Sequence, residues 1–230
     1  MNRKTMAIHA AALLTFAGAP QLSSAQTPGA LVEGRDFTLL SPAQPTSSPS
    51  DQVEVAEVFM FGCVHCFRFE PHWQVWEKRK AEYVNVVKLP TSWNELQRLH
   101  AQAFYTAQML GKLERMSEDL FQELHVKRSR IDTREKLREF FGRYGVDAAT
   151  FDETFESPTV HAKVERADEL IRGYEVTGTP SVVVNGKYLT SGAMARSYEA
   201  WFEIIDALVA RERAAMAQRE NGARNAAGPP

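Results

Sequence analysis

The chain has 230 residues, 44% of them hydrophobic, and a formal net charge of −2 at pH 7. A chain of this length and composition buries a core without needing metals or several disulfides to hold it together. The mildly acidic balance argues against nucleic acid as a partner, since nucleic-acid-binding domains are typically strongly basic.

The first 25 residues have the pattern of a cleavable secretory signal peptide. Arg3 and Lys4 supply positive charge, an apolar stretch follows over 6–17, and small residues offer a cleavage site after Ala25. The apolar stretch is shorter than the roughly 20 residues of a membrane-spanning helix, which disfavours an uncleaved anchor. The sequence therefore predicts export, and exported proteins meet an oxidising compartment.

The next segments predict a strand–helix–strand unit. Residues 33–40 could form a first strand, and the Pro- and Ser-rich stretch 41–52 predicts a loop. The apolar run 53–61 predicts a central strand buried on both faces. A helix from Cys63 and a strand over 83–89 complete a βαβ unit, whose crossover is almost always right-handed.

Helical periodicity then dominates residues 94–172, which we interpret as an all-helical insertion. After the helical block, the sequence predicts a β-hairpin around Asn185-Gly186 and a final helix from Ser197. The strand and helix patterns of the first part of the chain therefore reappear. The tail 211–230 lacks periodic apolar residues and is predicted to be disordered.

The predicted fold class is therefore α/β: a mixed central sheet flanked by helices, with a helical domain inserted into it. The sheet domain would comprise residues 31–93 and 173–210, and the inserted domain residues 94–172.

The two cysteines of the chain, Cys63 and Cys66, stand three apart directly after the central strand. A disulfide between them would close a very short loop and remove little chain entropy, so it would add little stability. At a helix start, free N–H groups and the macrodipole favour the Cys63 thiolate, and His65 can add positive charge or a hydrogen bond. We expect Cys66, one helical turn later, to be more buried than Cys63. It would resolve the mixed disulfide that Cys63 forms with a substrate.

Other uses of this motif fit the sequence less well. Covalent haem attachment requires a histidine after the second cysteine, where Phe67 stands. A zinc site needs further ligands, and His72 and His161 are better interpreted as surface or packing residues, so no metal is predicted. An inert buried pair, or an exported binding protein with a structural motif of this kind, stays open as a non-enzymatic alternative.

Glu57 is the second informative residue. It lies six positions before Cys63, on the strand face expected to be buried, where a carboxylate is costly. Lys88, in the neighbouring predicted strand, is a possible partner, although it could equally reach solvent at a strand edge. A buried glutamate near a dithiol could exchange a proton with Cys66.

Thr179-Pro180 stands directly before the predicted hairpin. This position suits a cis proline, but cis bonds are rare, so the residues alone predict only a turn.

Together these features resemble the DsbA family of periplasmic thiol:disulfide oxidases, which combine a thioredoxin-like fold with an inserted helical domain. The resemblance is carried by the export signal, by Glu57 ahead of the dithiol, by the helical insertion and by the segment Val176–Gly186. It extends over nearly the whole mature chain, from Leu31 to Val209.

The resemblance implies a role for each matching residue. Cys63 would attack or be attacked, Cys66 would resolve, and His65 would stabilise the Cys63 thiolate, whose pKa is depressed in this family. Thr179 and Pro180 would face the dithiol and help to bind an extended substrate chain.

Three further residues bear on these roles. Glu57 and Lys88 match the family's buried acid and its neighbouring lysine. Val64 replaces the proline that is usual between the two cysteines of this family. This replacement is the main reason why the reduction potential of this protein would differ from that of other family members.

The resemblance also implies the partners. They would be folding secreted polypeptides with free cysteines and a membrane protein, similar to DsbB, that reoxidises the dithiol. The protein would act in the periplasm, as a monomer, with its disulfide in place of a separate cofactor. A disulfide isomerase or reductase of the same compartment is the alternative enzyme.

Overall fold

A mixed five-stranded sheet forms the centre of the fold. The computed structural model describes residues 31–226, with side chains to residue 222, so the predicted signal peptide lies outside the described residues. In the sheet the strand order is β1-β5-β4-β2-β3, where only β2 and β3 are parallel. The strands are Thr38–Leu39 (β1), Val53–Phe59 (β2), Val84–Pro90 (β3), Ser181–Val184 (β4) and Tyr188–Ser191 (β5).

Strand β2 lies in the interior of the sheet, and all seven of its residues are buried. Helix α1, Val64–Arg79, connects it to β3, and the parallel register pairs Glu57 with Lys88. This is the predicted βαβ unit. Its consequence for the site is that the carboxyl ends of β2 and β3 lie at the same edge of the sheet, beside the start of α1.

Five helices occupy the chain between β3 and β4, as the periodicity predicts. Four of them begin at a typical capping residue, because Asn94, Thr133, Asp147 and Ser157 each accept a backbone N–H of the first turn. The division into two domains at residues 93 and 173 stays a prediction. The helices are Glu95–Met109 (α2), Leu113–His125 (α3), Arg134–Gly142 (α4), Ala148–Phe155 (α5) and Pro158–Gly173 (α6).

A hydrophobic core covers each face of the sheet. One lies between the sheet, α1 and the last helix, Tyr198–Ala226 (α7), and includes Trp73, Trp76 and Trp201. The other joins the sheet to α2–α6, and Cys63 and Cys66 belong to it. The dithiol is therefore packed against the helical insertion as well as against the sheet.

The predicted first strand over residues 33–40 is wrong in its extent, because β1 contains only Thr38 and Leu39. Gly34 has φ +80°, and Asp36 accepts the backbone N–H of Val32, so the segment before β1 is a turn. An alternating pattern alone does not reveal such a turn.

The prediction of a disordered tail over residues 211–230 is wrong for residues 211–226, since α7 continues to Ala226. Glu212 and Met216 are buried on this extension. Residues 227–230 lie outside the described part of the chain.

Within the described residues, no helix combines the length and apolar character needed to cross a membrane.

Candidate active site

The dithiol stands at the junction of β2 and α1. Cys63 is the N-cap residue of α1, with extended backbone angles, and its N–H donates to the carbonyl of Met60 at 3.1 Å. The N–H of Phe67 donates back to the carbonyl of Cys63 at 3.0 Å, which closes the first helical turn. Both cysteines are free thiols, and Val64, the first helical residue, is exposed.

The Cys63 sulfur faces several hydrogen-bond donors. The strongest is the Cys66 thiol, and the Thr179 side chain and the backbone N–H groups of Cys66 and His65 add to it. Together they outweigh burial, so the pKa of Cys63 falls to about 5. These contacts stabilise negative charge on the sulfur at neutral pH. His65 contributes here through its backbone, while its side chain is exposed.

The second thiol has the opposite environment. Cys66 has no exposed surface, whereas Cys63 is 8% exposed. Burial raises the pKa of the Cys66 thiol, and the neighbouring Cys63 raises it further. The pair thus consists of an outer sulfur with a lowered pKa and a fully buried inner sulfur with a raised one. The greater burial of Cys66 agrees with the sequence-based expectation.

The predicted turn at Thr179-Pro180 reaches the dithiol from the other end of the chain. The Cys63 sulfur lies 3.4 Å from the carbonyl oxygen of Thr179, to which the thiol donates. The Thr179–Pro180 peptide bond is cis. A groove of about 770 Å³ runs along this turn, and His65, Met194 and Tyr198 also line it. Thr179, which lines the groove, lies next to the Cys63 sulfur.

Glu57 and Lys88 form a buried ion pair. Glu57 has no exposed surface, and its Oε2 lies 3.2 Å from the Lys88 Nζ. Burial is the main reason that the pKa of Glu57 rises to about 7; the Glu70 carboxylate adds to the rise, and Lys88 opposes it. Glu57 can therefore hold or release a proton near neutral pH.

Glu70 completes this cluster, although no sequence motif pointed to it. Both of its carboxylate oxygens accept hydrogen bonds from Lys88, at 2.8 and 2.7 Å. Burial opposes the charge on Lys88, but the two carboxylates together raise its pKa. The available signal was position, because Glu70 lies one helical turn after Cys66 on the buried face of α1.

The described residues contain no group of three or more histidine, cysteine or acidic side chains placed to hold a metal ion.

Comparison with known proteins decides the family. The model of the DSBA-like thioredoxin domain matches residues 82–196, a segment that begins after the dithiol. A thiol:disulfide interchange protein DsbA from Burkholderia cepacia is 32% identical over 197 residues, which cover 86% of this chain and 92% of that protein. The chain belongs to the DsbA family.

Solved structures of DsbA proteins agree with this assignment. The crystal structure of Pseudomonas aeruginosa DsbA superposes with a TM-score of 0.75 at 33% identity, covering 79% of this chain and 94% of that one. The DsbA of Xylella fastidiosa gives a TM-score of 0.74 at 30% identity, with 80% and 98% of the two chains covered. The predicted family, the thioredoxin-like fold with its helical insertion, and the enzyme class are thereby confirmed. This DsbA-family protein is a thiol:disulfide oxidoreductase.

Proposed function

We propose that this protein donates the Cys63–Cys66 disulfide to folding secreted polypeptides through a mixed disulfide. The observation that carries the proposal is the asymmetry of the dithiol, with Cys63 at the helix start beside the substrate groove and Cys66 buried behind it. Contacts that favour the Cys63 thiolate stabilise the reduced form, which makes the disulfide a stronger oxidant.

The reaction consists of two exchanges. A substrate thiolate attacks the Cys63 sulfur, the bond between Cys63 and Cys66 breaks, and Cys66 leaves as a thiolate that takes up a proton. A second substrate thiolate then attacks the substrate sulfur of the mixed disulfide, and Cys63 leaves as a thiolate. The substrate loses two electrons and gains a disulfide, and the enzyme gains the electrons as a dithiol. The low pKa of Cys63 favours this second step, since a weakly basic thiolate leaves readily.

We assign Glu57 the role of proton donor to Cys66 in the first exchange and of acceptor on reoxidation. Two observations support this role. The Glu57 carboxyl is buried and has a pKa of about 7, and it lies six residues before Cys63 on the strand that leads to the dithiol. Lys88 would hold Glu57 in place from the neighbouring strand. The exchange of a proton with a buried thiol avoids leaving a charge inside the core.

The remaining residues would bind substrate and tune the thiol. The cis Thr179–Pro180 turn and its groove would hold an extended substrate chain next to Cys63. His65 would stabilise the Cys63 thiolate, and Val64, exposed between the sulfurs, would adjust the reduction potential.

The compartment and the recycling partner follow from family membership and from the predicted signal peptide. We infer that the protein works in the periplasm, that a membrane protein similar to DsbB reoxidises it, and that its disulfide serves in place of a separate cofactor.

Alkylation of the reduced protein across pH tests the proposal. We expect Cys63 to react with an apparent pKa several units below the value of about 8.5 for a free cysteine. Cys63→Ser should abolish thiol exchange, whereas Cys66→Ser should form a lasting mixed disulfide when its Cys63 thiolate attacks added glutathione disulfide and releases one glutathione thiolate. An apparent pKa near 8.5, together with exchange activity in Cys63→Ser, would contradict it.

The redox state in cells separates this proposal from the alternative of an isomerase or reductase. A donor of disulfides accumulates in the oxidised form, and an isomerase must be kept reduced. Trapping the cellular protein with an alkylating reagent of high mass distinguishes the two forms by gel mobility.

A further inference from the structure

One residue outside the reacting pair, His125 of the helical insertion, contacts the chain on both flanks of the dithiol. The Nε2 atom of His125, at the end of α3, lies 2.7 Å from the carbonyl oxygen of Phe61. The His125 ring also stacks on the ring of Phe67, with centroids 4.9 Å apart and planes at 12°. Phe61 precedes Cys63 by two residues, and Phe67 directly follows Cys66.

The imidazole is held firmly at this place. Glu123 is buried two residues earlier and accepts hydrogen bonds from Lys127, Ser129 and Arg143. Those bonds lower the pKa of Glu123 to about 2, so it stays ionised and ties the end of α3 to the following loop and to α4. The end of α3 is therefore a fixed support for whatever His125 contacts.

We propose that His125 is a positioning residue that sets the reactivity of Cys63 through the Phe61 carbonyl. A carbonyl oxygen can only accept, so Nε2 carries the proton and donates it. The donated bond orients the Phe61 peptide inside the turn in which the Cys63 N–H donates to the Met60 carbonyl.

This turn determines where α1 begins. The backbone N–H groups of His65 and Cys66 that face the Cys63 sulfur belong to the first turn of α1. A shift of the peptide at Phe61 would misalign those donors and weaken their stabilisation of the thiolate. The inference rests on the proposed role of Cys63 as the nucleophile.

Two substitutions separate the hydrogen bond from the ring stack. His125→Phe keeps an aromatic ring against Phe67 and removes the donor, whereas His125→Gln keeps an N–H donor and removes the ring. The net strength of one hydrogen bond corresponds to roughly a twofold to tenfold change in an equilibrium constant. His161→Gln is the matched control, because His161 is only partly buried on α6 and its near neighbour is Glu156, at 3.6 Å.

The experiment measures the Cys63 thiolate by ultraviolet absorbance and by alkylation rate, from pH 3 to 9, on the reduced full-length protein. In His125→Phe we expect the Cys63 pKa to rise and alkylation at acidic pH to slow by about threefold to tenfold. In His125→Gln and His161→Gln the rate should stay within about twofold of wild type. Melting temperatures recorded in parallel report ordinary packing losses, which would leave the thiolate titration unchanged.

Two results would overturn the inference: an unchanged titration in His125→Phe, or a His125→Gln variant slowed as much as His125→Phe. If His125→Phe does not fold, Phe67→Leu decides instead, because it removes the stack and leaves the hydrogen bond. Its titration should match wild type, and a raised Cys63 pKa there would assign the effect to the stack. A wild-type pKa near 8.5 would instead refute the proposed function itself.

Discussion

At the scale of single residues, Glu57 is retained at a cost to stability. Its folded-state pKa of about 7 lies above its ordinary value of 4.5, because burial disfavours the charged form. A group of this kind stabilises the folded state fully below pH 4.5, and the contribution is lost as the pH rises through about 7. The native protein therefore carries a buried charge at alkaline pH, as expected of a group kept for chemistry.

Glu57→Gln should remove that cost. We expect the free energy of unfolding at pH 8 to rise by about 1–3 kcal/mol and to change little at pH 4. Lys88 keeps its two hydrogen bonds to Glu70, so it is not left as an unpaired charge. Urea unfolding at the two pH values measures the change, and the exposed carboxylate Glu118 provides the matched control as Glu118→Gln.

The same variant tests the proton transfer. If Glu57 exchanges a proton with Cys66, stopped-flow oxidation of a peptide dithiol should be slower in Glu57→Gln and should lose a pH dependence centred near 7. A more stable protein with an unchanged rate profile would show that Glu57 has no part in the exchange.

At the scale of elements, the extension of α7 depends on one buried carboxylate. Glu212 accepts hydrogen bonds from Asn185, Lys187 and Tyr188 of the β4–β5 hairpin. Burial alone would raise the pKa of Glu212, but these donors hold it below its ordinary value. Its contribution to stability is therefore present at neutral pH and is lost as the pH falls through the lowered pKa.

Glu212→Ala should release this extension. We expect a loss of about 1–3 kcal/mol at pH 7, since the Lys187 ammonium loses its partner, and faster amide exchange in the helix after residue 210. Hydrogen exchange read by mass spectrometry measures it, with Glu203→Ala, an exposed position on the same helix, as control. Equal protection in the two variants would mean that other contacts hold the extension.

These elements also show what a sequence can and cannot predict. The helix starts at Asp147 and Ser157 were predictable because a capping residue and its helix are neighbours in the chain. The end of α7 was not, because its contact runs from Glu212 to a hairpin 24 to 27 positions earlier. Local periodicity carries no trace of such a polar contact.

At the scale of the molecule, the site is assembled from distant segments. The Cys63 sulfur meets the carbonyl of Thr179, 116 positions away, and His125 meets the carbonyl of Phe61 across 64 positions. The dithiol was evident from spacing alone, and the resemblance to DsbA pointed to Thr179-Pro180. The contact of Glu70 with Lys88 and that of His125 with Phe61 became visible only when α1 and α3 were placed in space.

The reduced molecule should show two opposing pH dependences. Cys63 has a folded-state pKa of about 5, below the value of about 8.5 for a free cysteine. Its contribution to stability is therefore full above about pH 8.5 and is lost as the pH falls through 5. Glu57 acts in the other direction between pH 4.5 and 7. The two trends partly cancel in the wild type over that interval.

The Glu57→Gln background isolates the cysteine. In it we expect the stability of the reduced protein to rise between pH 5 and 8 by about 1–3 kcal/mol, a figure that allows for solvent screening of the partly exposed sulfur. The oxidised protein has no thiolate, and Cys63→Ser has none either, so both should lack the rise. Denaturant unfolding of the three forms at matched pH measures it. A parallel rise in all three would assign the trend to other groups and would remove the thermodynamic basis for a strongly oxidising disulfide.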